Sequence, residues 1–334
     1  MNTATPIDTQ AIGCGHGGLD ASQKSHHERK QAATGALAAT GAFLLWGVLP
    51  IYWKFLPMVA PVEVIAHRIV WSLVFLLVVL RMRGRLGQFR AALVDPRQLA
   101  LYGVSGGLLA VNWLTYIYAV QTNRIVDASL GYFLVPLCNV ALGFVVLRER
   151  LRPLQWAAVA LAAVGVAVQL ARVGRLPWIA LVLAGSFAIY GLLRKRGPLG
   201  PLTGLGVETA LLAPLALGFL LWRGWSGAGA FGSVGGFEHG LLLACGVVTA
   251  VPLLWFAVAA RSLSMVSLGL FQYLAPSVQL LIGVALYAEP FGGARAGSFA
   301  LIWAGLAVYS YDAFRSARSA ARRPAIPPPA AGGA

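Results

Sequence analysis

Between residues 34 and 313 the chain is a succession of apolar runs separated by short polar segments. The runs are roughly 20 residues long, the length a helix rising 1.5 Å per residue needs to cross a ~30 Å hydrocarbon layer. Only 11% of the 334 residues are charged and 58% are hydrophobic, with a mean hydropathy of +0.74. A soluble chain carries about 25% charged residues, so the expectation is an all-α integral membrane protein. Apolar runs and their Gly/Pro breakers place ten spans at about 34–54, 61–81, 99–120, 126–147, 153–172, 177–193, 202–222, 240–259, 264–287 and 295–313. Residues 1–33 read as a flexible N-terminal tail, and 314–334, ending in RRPAIPPPAAGGA, as a disordered C-terminal one.

The net charge of +15 would suit nucleic acid, but the basic residues sort to one side. With the N-terminus inside, 19 of the 26 Lys and Arg fall in inner segments, 6 in outer ones, and Arg68 inside a span. That bias predicts cytoplasmic termini and accounts for the charge without nucleic acid. Cys14, Cys138 and Cys245 are too dispersed for a disulfide framework or a zinc site. Residues 1–30 lack the apolar core of a signal peptide.

An internal repeat organises the spans. At a constant offset of 140, Pro61 matches Pro201, Pro136 matches Pro276, Gly143 matches Gly283, Glu149 matches Glu289 and Gly165 matches Gly305. The triplet Ser129–Gly131 recurs as Ser267–Gly269 at 138. The expected units are 34–172 and 177–313, each of five helices. Five is odd, so the second half enters the membrane inverted. The flanks agree, since RERLR surrounds Glu149 on the inner side and EPFGG follows from Glu289 on the outer. Inverted repeats suit secondary transporters, in which two halves rock about a midplane site.

The segments HRIVWS, NWLTYIYAV, ASLGYFLVPLCNVALG, SFAIYGLLRK, ETALLAP and LFQYLAPSVQLLIG, in this order, resemble the RarD proteins of the EamA group in the drug/metabolite transporter superfamily. The resemblance covers about 34–313. It implies ten helices as two inverted repeats, cytoplasmic termini in a bacterial inner membrane, and small-molecule permease activity usually read as export. RarD proteins are named for an association with chloramphenicol sensitivity.

Tyr132, Pro136, Asn139 and Gly143 stand at i, i+4, i+7 and i+11, one helical face, and Gln272, Pro276, Gln279 and Gly283 repeat the stripe 140 residues on. A proline leaves the carbonyl four residues upstream without its donor, tolerable in lipid only where protein or water replaces it. The stripe therefore faces the bundle interior, either lining a path or gluing helices. Asn112 and Tyr116 with Trp113 beside them, Trp46 with Pro50, and Tyr190 with Ser186 extend the expected substrate pathway. Glu149 and Glu289 end their helices and read as structural, and Glu63 and Asp127 as solvated near the outer surface.

Arg68, in EVIAHRIVWS, lies seven residues inside a helix begun by Pro61, about 10 Å below its outer end. An intramembrane cation is costly and by default functional, although an arginine can also snorkel or pack on Trp71. Glu63 and His67 are spaced to pair on another face. Arg68 plus 140 is Glu208, well inside its span. The two are expected to edge a midplane cavity, Arg68 holding an anionic or polar group and Glu208, with His67, carrying a coupled proton. No catalytic or nucleotide-binding motif appears and no cofactor is implied. The expected partners are a small molecule and the bilayer, with a homodimer left open. The remaining alternatives are an uptake permease or a membrane-embedded protein that does not transport.

Overall fold

The computed structural model describes residues 16–122, 125–171, 177–231, 233–287 and 293–321. These form helices α1 (His16–Trp53), α2 (Pro61–Met82), α3 (Leu86–Val94), α4 (Pro96–Gln121), α5 (Ile125–Val145) and α6 (Pro153–Ala171). They continue with α7 (Trp178–Arg196), α8 (Pro201–Trp225), α9 (Gly236–Ser262), α10 (Met265–Gln272), α11 (Leu274–Tyr287) and α12 (Gly293–Ala321). Seven helical segments among the described residues are long and apolar enough to cross a membrane, and Gly131–Val145 and Pro153–Val168 are shorter apolar ones.

Local sequence explains the element ends. Proline occupies the first turn of α2 and α8, where its missing N–H costs nothing. At the end of α2, Gly84 adopts φ +64°, a conformation open to glycine without steric penalty. Its N–H donates to Arg81 O at 3.0 Å and the Arg85 N–H to Leu80 O at 2.8 Å, closing the helix with two crossed bonds.

The helices differ in detail from the expected spans. Helix α1 begins at His16, ahead of the start expected for the first span at about 34. Between the second and third spans lies α3, short because only Phe89 and Ala92 reach the core, against Leu80, Tyr102 and Val207. The span expected at 264–287 is present as Met265–Leu286, with a one-residue turn at Tyr273 dividing it into α10 and α11. Pro276 removes the donor that Gln272 O would use, and the Tyr273 N–H turns to Leu270 O instead.

α6 packs on α12, α5 on α7, α1 on α9, and α2 on both α8 and α9. The α6–α12 contact carries the repeat in its detail. A Cβ on Gly165 would lie 2.8 Å from Ser298 O, and one on Gly305 2.7 Å from Ala158 O. Adding 140 to Gly165 and Ala158 gives Gly305 and Ser298, so the contact maps onto itself when the halves are exchanged. Glycine is required at both because the facing atoms are backbone.

The end of the bundle holding α3, Arg194–Arg196 and Arg261 is the basic end. There Glu149 accepts from the N–H groups of Met265 (2.8 Å) and Val266 (3.1 Å), capping the start of α10. Gly143 leaves room for that carboxylate, since a Cβ there would be 2.7 Å from Glu149 Oε2. Glu289, its counterpart in the repeat, lies outside the described residues, as does the Asp127 side chain. At the opposite end Glu63 is buried rather than solvated. It accepts from the Ala230 N–H (2.5 Å) and Arg223 Nη2 (3.2 Å), tying the α8–α9 connection to the start of α2.

Candidate functional site

In the half of the bundle away from the basic end, α1, α2, α4, α5, α7, α9, α10 and α11 surround a cavity of about 180 Å³. A dry cavity near 150 Å³ admits a benzene-sized ring, so this one holds a small organic group. Its walls include Trp46 and Trp53 from α1, Trp113 and Tyr116 from α4, Tyr132 from α5 and Phe187 from α7. Its floor is a packed aromatic cluster, with Tyr190 stacked on Phe256 at 5.8 Å and Phe43 edge-on to Phe256 at 6.2 Å.

Arg68 supplies the charge. Its guanidinium carbon lies 5.1 Å from the ring centre of Trp53 and 4.7 Å from that of Trp113, within cation–π range of both. Nε donates to Thr249 Oγ1 at 2.9 Å. The next turn of α9 holds α2 close, because Gly246 has no side chain and its carbonyl accepts from Ser72 Oγ at 3.0 Å. No Asp or Glu lies within ion-pair distance of Arg68 among the described residues.

The polar stripes divide by depth. Tyr132, Gln272, Pro276 and Gln279 line the cavity with Trp46, Asn112 and Tyr116. Nearer the basic end the stripe becomes helix packing. Asn139 is fully buried and its Nδ2 donates to Gln272 Oε1 at 2.5 Å, while the Pro136 carbonyl faces Gly269. Gly143 holds the Glu149 carboxylate, and Gly283 is buried in α11. Asn112 braces α4 against α7, donating to Leu183 O (2.9 Å) and Ser186 Oγ (3.0 Å).

One proline-freed carbonyl finds a side-chain donor. Pro50 cannot donate to Trp46 O, and Gln279 Nε2 donates to it at 3.1 Å. Gln279→Leu is expected to cost about 1–3 kcal/mol by leaving that carbonyl bare. In a Pro50→Ala background the restored N–H satisfies the carbonyl and the penalty shrinks. Thermal unfolding in detergent of the four proteins checks this, and equal penalties in both backgrounds contradict it.

Glu208 does not line this cavity. It is fully buried and accepts from Ser105 Oγ (2.6 Å), Tyr190 OH (3.4 Å) and Arg194 Nη1 (3.4 Å). Its cation is Arg194, not the repeat-related Arg68. Arg194 also donates from Nη2 to Pro201 O at 2.8 Å and lies over the Tyr102 ring. Tyr190, placed on the expected pathway, does not line the cavity: its ring packs in the aromatic floor and its hydroxyl joins this network. A narrow crevice lined by Glu208, Thr249, Leu109, Trp113 and Leu253 adjoins the main cavity, sharing the last three with its wall. His67 faces elsewhere. It packs 5.2 Å from Phe231, and neither ring nitrogen has a hydrogen-bond partner among the described residues, Glu63 included.

Sequence reasoning missed Arg194, counted there only as a cytoplasmic basic residue, and the roles of Trp53 and Thr249. The spacing Tyr190–Arg194, one turn apart on one face, was the available signal.

Residues 33–171 match the EamA-like transporter family. A transporter of Pseudomonas aeruginosa, itself uncharacterized, is 47% identical over 83% of this chain and 93% of its own. The protein RarD of Streptomyces exfoliatus is 44% identical over 90% of this chain and 94% of its own. The chain belongs to the EamA-like transporter family, among the RarD proteins. A solved crystal structure, 24% identical, shares the fold with a TM-score of 0.64 over 82% of this chain and 96% of that one. Membership makes this a multi-pass membrane transporter of the drug/metabolite type, and its relatives are named as transporters rather than enzymes.

Proposed function

We propose that the protein exports a small amphipathic molecule across the bacterial inner membrane by alternating access, coupled to the proton gradient, with both termini cytoplasmic. The observation that carries this reading is the aromatic cavity built around Arg68 from both halves of the chain. Aromatic walls bury an apolar body while tyrosine, amide and guanidinium groups fix a polar end. With the basic end cytoplasmic, the aromatic floor closes the inner side and this conformation faces outward.

Glu208 is the proton carrier in this reading. It is the one acidic side chain beside the crevice that adjoins the cavity, among the described residues, and its hydroxyl partners Ser105 and Tyr190 can donate to either protonation state. His67, on the far face of α2, is left out of the proton path.

Purified protein in proteoliposomes, given an imposed pH gradient and a panel of amphipathic solutes including chloramphenicol, should move at least one of them. Glu208→Gln should retain exchange of that solute between the two sides and lose accumulation driven by the gradient. Folded protein that moves none of the panel in either direction contradicts the transport reading. Gradient-driven accumulation by Glu208→Gln removes Glu208 from the coupling.

A further inference from the structure

Arg68 has more hydrogen-bonding capacity than the protein uses. A guanidinium carries five N–H donors, and only Nε is engaged, by Thr249. Nη1 and Nη2 have no acceptor among the described residues, and the side chain is open to the cavity. The two flanking indoles hold the guanidinium carbon within cation–π distance, and the donors on Nη1 and Nη2 stay unengaged. Those donors match a carboxylate, which takes two parallel N–H bonds from one arginine. The hydroxyls of Tyr116 and Tyr132 make no hydrogen bond among the described residues, and both side chains are about 40% exposed in the cavity wall (40% and 39%). They are further donors for an anion.

The complementary feature is an absence on the acidic side. None of the described lining residues is Asp or Glu, and Glu208 is committed to Arg194. An ammonium group in this cavity would find a cation opposite it and no carboxylate to answer it. Placing like charges together in a desolvated site is penalised more strongly than in water.

Resting on the transport reading above, we infer that the cavity selects an organic carboxylate with an aromatic or similarly flat apolar body and no free ammonium group. The carboxylate sits on Nη1 and Nη2 of Arg68, and the ring lies among the aromatic walls. The fixed cation neutralises the charge that would otherwise bar the anion from a membrane interior. Amino acids and cationic amphipaths are disfavoured by the same geometry.

A matched set of probes isolates the charge: 3-phenylpropanoate, its neutral amide, phenylalanine and 3-phenylpropan-1-amine, which share one ring and chain. Isothermal titration calorimetry on the full chain in lipid nanodiscs should give the propanoate at least about a tenfold lower Kd than each of the others. Arg68→Gln should remove the preference for propanoate over amide, while Arg68→Lys, which keeps the charge and loses the fork, retains part of it. The ranking in the unaltered protein needs no variant to fold. Amide or phenylalanine binding as tightly as the propanoate overturns the inference, and so does failure of all four to bind folded protein. Neither result touches transport itself, because the proteoliposome flux of other solutes is read separately.

Discussion

Replacing Arg194 with methionine is expected to destabilise the folded protein by about 3–5 kcal/mol, the usual consequence of stranding one member of a buried ion pair. Both side chains are almost wholly enclosed, at 2% and 1% exposure, so water cannot replace the missing partner. Glu208 would keep only the hydroxyls of Ser105 and Tyr190, and Pro201 O would lose its bond from Arg194 Nη2. The double variant Arg194→Met/Glu208→Gln should recover about 1–3 kcal/mol of the loss, because the stranded charge is gone and the amide still accepts from Ser105. Equilibrium unfolding of the parent, both single variants and the double variant in detergent micelles measures the coupling. An Arg194→Met protein as stable as the parent would sink the argument, as would a double variant no better than Arg194→Met alone. The result also bears on function: the proton carrier proposed here is held by the same cation that stabilises the fold.

A single methyl at position 246 should be nearly as damaging. The Cβ of Gly246→Ala would lie 2.3 Å from the carbonyl carbon of Trp71, 2.5 Å from its oxygen and 2.6 Å from the Ser72 nitrogen. These are backbone atoms of α2, so no rotamer change relieves the contact and the two helices must separate. Overpacking typically costs about 1–3 kcal/mol, and a backbone obstacle places this variant at the upper end. The damage extends to the cavity, because Thr249, one turn along α9, holds Arg68 Nε. Gly185→Ala is the control. Its Cβ would meet nothing within 4 Å, and alanine in an open helical position stabilises by about 0.5–1 kcal/mol. Thermal unfolding should therefore separate the two alanine variants by several degrees in opposite directions from the parent. Similar midpoints would show that α2 and α9 are not in close contact.

Much of the fold was legible. Hydrophobic run length located the helices, and the offset of 140 that matched Gly165 with Gly305 reappears in the α6–α12 contact, where each glycine faces a backbone carbonyl of the other helix. The stripes on α5 and α10–α11 did face inward. The break at Tyr273 was hidden because hydropathy does not sense a missing backbone donor, although Pro276 carried the warning. Helix α3 was hidden because two buried residues make too weak a period to separate from a basic loop.

The site was legible by residue type more than by partnership. Trp46, Arg68, Asn112, Tyr116, Tyr132, Gln272 and Gln279 meet around one cavity. Asn139 and Tyr190, chosen by the same spacing, lie beneath it, because periodicity assigns a face and says little about how deep a cavity reaches. The pairs inferred from spacing fared worst. Glu63 turns to Ala230 and Arg223 rather than to His67, and Glu208 turns to Arg194 rather than to Arg68.

By itself the sequence determined that the chain is a helical membrane protein, since lipid admits only helices and closed barrels and apolar runs of about 20 residues are too long for barrel strands. It also marked Arg68 as a cation needing a reason. Which groups answer that cation was decided only by the tertiary structure. Helix rotation and crossing place two indoles within cation–π distance of Arg68 and no carboxylate within ion-pair distance of it among the described residues. Charge neutralisation is a matter of a few ångströms, and distances of that size between helices are set by packing at residues such as Gly246, far apart in the chain from the groups they position.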